Sequence, residues 1–149
     1  MIEVDHDLGD EARGLDDDPL VLIERFHGHV GPYVVMGYRS GRLAQERLGA
    51  NAFKLEAEVS AGTRPPMSCF VDGVQLGSGC TLGKGNITMR GDELVEASFA
   101  REDGRRLRLR ARPEALSRVV SGLEMEEMVR LSADLLAMPV DQLFEIEEG

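Results

Sequence analysis

The stretch Leu94-Val95-Glu96-Ala97-Ser98-Phe99-Ala100-Arg101-Glu102-Asp103-Gly104-Arg105-Arg106-Leu107-Arg108-Leu109-Arg110-Ala111-Arg112 decides the fold class. Asp103-Gly104 is a tight-turn dipeptide, and the arms on either side read as antiparallel strands over 94–101 and 105–112. Arg106, Arg108, Arg110 and Arg112 share one face of the second arm, with Leu107, Leu109 and Ala111 on the other. Lys54–Ser60 alternates polar with apolar, and Asn86–Met89 adds a further short strand, so a mainly antiparallel sheet is expected. Helical patterns flank it, which makes the fold class α+β.

The first of those patterns begins at Asp18-Pro19, a cap followed by a first-turn proline, and runs through Leu20, Ile23 and Phe26 to Gly28. A second starts at Pro32 and stops at Gly49, and its Gly37 and Gly41 form a small-residue stripe that lets another backbone come close. Pro65-Pro66 interrupts the chain, after which Ser68 is placed to cap a short helix through about Leu76. Gly77, Gly79, Gly83 and Gly85 then crowd into a shaped loop. Pro113 opens a helix expected to reach Val120, and Met125, Met128, Val129, Leu131, Leu135 and Leu136 mark a last helix before Pro139. Leu143–Ile146 is expected only to close or extend the core.

Composition bounds the rest. The 149 residues suffice for one domain with a real core, 42% are hydrophobic and 30% charged, and the formal net charge is −10. These values fit a globular chain, and no apolar run is long enough to span a bilayer. Such an acidic chain has no global attraction for nucleic acid or anionic lipid. The arginine face of the second arm carries no interleaved aromatic residue for base stacking, so cross-strand pairing with carboxylates such as Glu96 is the expected use. Residues 1–17, with Asp5, Asp7, Asp10, Glu11, Asp16 and Asp17, read as an acidic flexible tail and lack the basic start of an export signal. A cytoplasmic location follows as an expectation, and residues 18–149 read as a single domain.

Two cysteines, Cys69 and Cys80, and three histidines, His6, His27 and His29, form the inventory for chemistry. Two thiols in a reducing compartment suit metal binding or chemistry better than a disulfide framework. His27 and His29 flank Gly28 at a helix break, where both rings can turn into one cavity; capping of helix ends is an equal alternative. Cys69 and Asp72 stand three apart on one helical face, where the helix N-terminus favours thiolate and the carboxylate opposes it. A metal would resolve that conflict, and a small buried thiol is the simpler alternative. Gly79–Asn86 looks at first like a phosphate loop, but the first glycine of that motif falls on Ser78 and its magnesium-binding hydroxyl on Gly85. Nucleotide hydrolysis is therefore not expected. Lys84 stands as one of two lysines beside fifteen arginines, which suits a compact ammonium with a dedicated role.

Three blocks in order, Phe26-His27-Gly28-His29 with Pro32 and Gly37-Tyr38-Arg39, then Cys69–Gln75, then Gly79–Asn86, resemble the FmdE family, named for formylmethanofuran dehydrogenase. The resemblance spans about residues 20–112 and implies an FmdE-like α+β core that pairs as a homodimer. It also implies a cleft with His27, His29, Cys69 and Cys80 as metal ligands. Asp72, Lys84, Gly83 and Gly85 would support the metal or face a ligand. Zinc is the first expectation from the donor set, with iron or nickel as alternatives. An enzyme of redox or one-carbon metabolism is one reading, with no catalytic residue assigned. An accessory or scaffold subunit that keeps the fold is a second. A metal-free small-anion binder built from Lys84 and the loop amides is a third. Relatives often carry a cysteine where this chain has Gly31, and the C-terminal zinc finger of some relatives is not expected here.

Overall fold

The computed structural model describes residues 9–11 and 17–149. Helix α1 (Pro19–His27) begins where the Asp18 carboxylate accepts a hydrogen bond from the Leu20 amide at 3.0 Å. It stops at Gly28, whose φ of +95° is costly for any residue with a side chain. Helix α2 (Pro32–Leu48) follows the break and is the central helix of the domain. It lies over the middle strands and touches every long helix.

Helix α3 (Cys69–Ser78) packs along α2 through glycine on both sides. A Cβ at Gly37 would stand 2.0 Å from the Phe70 carbonyl oxygen, and one at Gly41 2.5 Å from the Ser78 amide nitrogen. Reciprocally, a Cβ at Gly73 would meet the Val34 carbonyl at 2.0 Å and one at Gly77 the Tyr38 carbonyl at 2.3 Å. The stripe expected on α2 thus has a matching stripe on α3, and the two backbones touch directly. Ser68 does not cap α3: its backbone is already helical, and the amides of Cys69, Phe70 and Val71 donate to the carbonyls of Pro66, Met67 and Ser68. The turn after Pro65-Pro66 feeds the helix with backbone partners, so the serine hydroxyl is not needed.

The sheet runs β2-β1-β3-β4-β5, with β1 at Leu55–Ser60, β2 at Ile87–Arg90, β3 at Glu96–Arg101, β4 at Arg106–Ala111 and β5 at Phe144–Glu148. Only β1 and β2 are parallel, with α3 in the connection between them; the other pairs are antiparallel. The β3–β4 hairpin sets Phe99 opposite Leu107 and Ala97 opposite Leu109. These side chains, with Leu55, Val59 and Phe144, are buried. Each large apolar side chain so buried contributes up to about 1.5–3 kcal/mol. On the outer face Glu96 lies between Arg108 and Arg110 at 3.5 and 3.3 Å, as the arginine alternation leads one to expect. Arg108 also reaches Glu147 and Arg90 reaches Glu58.

Two segments differ from the sequence reading. The helix opened by Pro113 is a single turn, α4 (Pro113–Leu116), after which 117–124 is irregular and turns at Gly122 with φ +81°. Val119 and Val120 mimic a helical stripe, yet β-branched neighbours and a left-handed glycine do not extend a helix. Phe144–Glu148 does more than close the core, because it supplies the edge partner of β4. Helix α5 (Met125–Ala137) packs on α2, and Arg39 donates to the carbonyls of Leu135 and Leu136 at 2.8 Å near its C-terminus. Helix α6 (Val140–Leu143) leads into β5.

Of the expected tail, positions 1–8 and 12–16 lie outside the described residues. Asp10 is seated on Arg101 at 2.9 Å, and this guanidinium holds its carboxyl below the usual carboxylate range. Among the described residues no helix is long and apolar enough to cross a membrane.

Candidate functional site

His27 ends α1, and its ring turns back toward α3, where Asp72 occupies the first turn. His27 Nδ1 donates to Asp72 Oδ2 at 2.6 Å, a short charge-assisted contact between a nearly buried imidazole (9% exposed) and a half-open carboxylate (41%). A carboxylate only accepts, so this contact uses a proton on Nδ1 and leaves Nε2 on the far side of the ring, the nitrogen that carries the lone pair in that tautomer. Nε2 is the one buried side-chain nitrogen or oxygen without a hydrogen-bond partner among the described residues. The His29 ring lies beside it, 4.7 Å between centroids.

Asp72 is itself held. Gln75 Nε2 donates to Asp72 Oδ1 at 3.4 Å, and Gln75 Oε1 accepts from the Leu82 amide at 3.0 Å. The glycine-rich loop is thereby linked to the His27–Asp72 pair through one amide side chain. Asn86 fastens the loop from its other end: its Oδ1 accepts from the Thr81 amide at 2.9 Å, and its Nδ2 donates to the carbonyls of Ala52 and Leu55 at 2.8 and 3.1 Å. Gln75 and Asn86 both lie in the family-like blocks, yet no titratable chemistry drew attention to them. Their places in those blocks, three residues after Asp72 and at the end of the loop, were the available signal.

Two cavities meet here. One, of 460 Å³, is lined by His27, Cys69, Asp72, Gln75, Leu82 and Met89 among others. The second, of 290 Å³, has a mostly apolar lining that includes His29, Gly31, Tyr33, Cys69, Val120 and Met128. Cys69 lines both. Burial and then the neighbouring Asp72 charge push its thiol up, which settles the opposing effects at the start of α3 in favour of the protonated form. Burial likewise raises the Tyr33 phenol.

The other expected residues sit elsewhere. Cys80 is fully buried in the core and lines neither cavity; its amide donates to Ser78 Oγ at 3.0 Å. Burial pushes its thiol from an ordinary 9.0 up to about 11. Lys84 Nζ folds onto its own loop, donating to the Gly79 carbonyl at 2.9 Å, over the Phe53 ring. The amides of Lys84 and Gly85 donate to Thr81 and Leu82 carbonyls, so the Gly83–Gly85 turn uses these donors internally. The structure therefore joins His27, His29, Cys69 and Asp72 around two adjoining cavities and leaves Cys80 and Lys84 outside them. Among the described residues no three His, Cys, Asp or Glu side chains converge as a metal-binding group.

A family model described as "FmdE, Molybdenum formylmethanofuran dehydrogenase operon" matches residues 26–145. The chain belongs to the FmdE family. A crystal structure of a tungsten formylmethanofuran dehydrogenase FmdE-like protein from Syntrophus aciditrophicus superposes with a TM-score of 0.61 at 20% identity. That superposition covers 87% of this chain and 69% of the other, and at such identity it speaks for the fold alone. A probable S-adenosyl-L-methionine-binding protein of Archaeoglobus fulgidus is 36% identical over 70 residues, 46% of this chain but 19% of that protein. The chain thus spans about a fifth of that curated relative. The FmdE match contains every residue of the His27–Asp72 site and its Gln75 support.

Proposed function

We propose that this FmdE domain binds a transition metal, zinc in the first instance, with His27 Nε2 as the anchoring donor and His29 and Cys69 beside it. The observation that carries the reading is the bare, buried Nε2 of His27 combined with the 2.6 Å bond from Nδ1 to Asp72. Metal-bound imidazoles typically donate their other nitrogen to a carboxylate, which fixes the ring and raises the basicity of the ligating nitrogen. The donor types suit a borderline metal, anchored on one oriented nitrogen rather than on a preformed set of three side chains or the closed four-donor set with Cys80. Zinc held there would supply a Lewis acid for an oxygen or sulfur group.

The chain's own side chains then have distinct work. Asp72 orients His27 and offsets positive charge, Gln75 keeps Asp72 from rotating, and the adjoining apolar walls exclude water from the donors. Cys69 is a protonated thiol in the metal-free chain and releases its proton when it ligates, so zinc affinity rises with pH. The domain serves as an enzyme of redox or one-carbon metabolism or, in the second reading, as a non-catalytic accessory subunit that keeps the fold, and it is proposed to act as a cytoplasmic homodimer. Zinc titration of the untagged, chelator-stripped chain tests the reading. Saturation at one zinc per chain, weakened at least tenfold by His27→Ala, is expected; no saturable site, or one indifferent to His27, refutes it.

A further inference from the structure

Cys69 stands between the two cavities, and each cavity adds one imidazole and one thioether to it. The 290 Å³ cavity is lined by His29, Cys69 and Met128 among others, and the 460 Å³ cavity by His27, Cys69 and Met89. In the smaller one two of the donor atoms border common space. A Cβ on Gly31 would lie 3.8 Å from His29 Nε2 and 4.0 Å from Met128 Sδ, so both atoms adjoin the empty point that the glycine leaves. Backbone geometry does not impose that glycine, since its φ of −151° is an extended value open to any residue. Among the described residues the His29 side chain makes no hydrogen bond, and its ring contact is with His27.

We propose that His29, Met128 and Cys69 form a site for Cu(I) in the smaller cavity. The ion follows from the donors. No three His, Cys, Asp or Glu side chains converge among the described residues, so a third donor at this cavity has to be the thioether. Thioether sulfur ligates soft ions, whereas zinc takes thiolate, imidazole and carboxylate. No carboxylate lines the cavity, and its Tyr33 and Ser121 hydroxyls are neutral oxygens, poor ligands for a soft ion and too few for a hard one. Charge points the same way. As the copper–sulfur bond forms, Cys69 gives its proton to solvent and copper stays Cu(I), so thiolate and ion cancel; a divalent ion would leave a net charge against mostly apolar walls. The unbranched Met128 side chain is flexible enough to close on the ion. This site shares Cys69 with the zinc reading but does not use His27, and so does not rest on it.

The test is an anaerobic titration of the chelator-stripped chain with Cu(I) against bicinchoninate, run on wild type, Met128→Leu and Met89→Leu. Expected are one Cu(I) per chain and an affinity at least tenfold lower in Met128→Leu, which keeps the apolar wall and removes the thioether, while Met89→Leu binds as wild type does. Ag(I), a redox-inert substitute, is expected to shift the Met128 methyl resonance on saturation and to leave in place that of Met125, which is 77% exposed outside the cavity. Absence of saturable Cu(I) binding, or equal affinity in wild type and Met128→Leu, overturns the proposal. A Met128 methyl unmoved by Ag(I), or a loss that follows Met89 instead, overturns it as well. Zinc affinity is unchanged in Met128→Leu and falls in His27→Ala, so failure of either metal reading shows separately.

Discussion

Replacing Gly37 by alanine tests whether the α2–α3 contact is the joint on which the site depends. The new Cβ would lie 2.0 Å from the Phe70 carbonyl oxygen and 2.9 Å from the Val74 amide nitrogen. A relaxed carbon–oxygen contact needs about 3.3 Å, so the backbones must part by about 1 Å. A gap of that size forfeits roughly a quarter to a half of the dispersion at each affected contact, and overpacking of this kind costs about 1–3 kcal/mol or more. With two backbones and no flexible side chain to yield, the upper figure applies, and alanine's better helix propensity returns about 1 kcal/mol. The net of roughly 2 kcal/mol corresponds to a melting temperature lower by about 4–8 °C for a chain of this length. Thermal circular dichroism measures it, with Gly31→Ala as control. That position has ordinary contacts and extended φ, so its change stays within about 1 kcal/mol of wild type and toward stabilisation. A Gly37→Ala protein melting within about 2 °C of wild type, on the order of 0.5 kcal/mol, would refute the reasoning.

Cys80 predicts an alkaline weakness: its thiol is raised to about 11 from an ordinary 9.0, so the folded state favours the neutral form. The corresponding stability is complete below the unfolded value near 9.0, and is lost as pH rises through about 11. Urea midpoints should therefore fall more steeply between pH 9 and 11 in wild type than in Cys80→Ala, and equal slopes would contradict the buried thiol. Asp72→Asn keeps shape but removes the charge behind His27, and zinc affinity should drop about 10–100-fold with little change in melting temperature. Gln75→Leu removes the link from the Leu82 amide to Asp72; about 1 kcal/mol of stability and a severalfold loss of zinc affinity are expected by calorimetry. Unchanged zinc binding in Gln75→Leu would reduce Gln75 to a loop fastener.

Much of the architecture was legible because it is local. The alternation around Asp103-Gly104 and the Asp18-Pro19 start depend on nearest neighbours, and the structure forms both. Phe144–Glu148 was harder: five residues after a short helix become a strand only because β4 has a free edge to pair with. The 117–124 segment misleads for the opposite reason, since Val119 and Val120 match a helical stripe while the Gly122 backbone turns away. At the site, the break at Gly28 was readable and the meeting of His27 with Asp72 was not, because it spans 45 positions and depends on the glycine seam. Lys84 drew attention by its rarity, yet its ammonium serves the loop that carries it. Cys80 stood beside it in the same block and entered the core, which composition cannot distinguish from ligation.

The proposed metal site is anchored on His27, and a competitive zinc titration against a chromophoric chelator, run on wild type, His27→Ala and Cys80→Ala, tests it most directly. One zinc per chain is predicted in wild type and in Cys80→Ala, with affinity at least tenfold lower in His27→Ala. Equal affinity in wild type and His27→Ala, or loss of the site on removal of Cys80 alone from a folded chain, would contradict it.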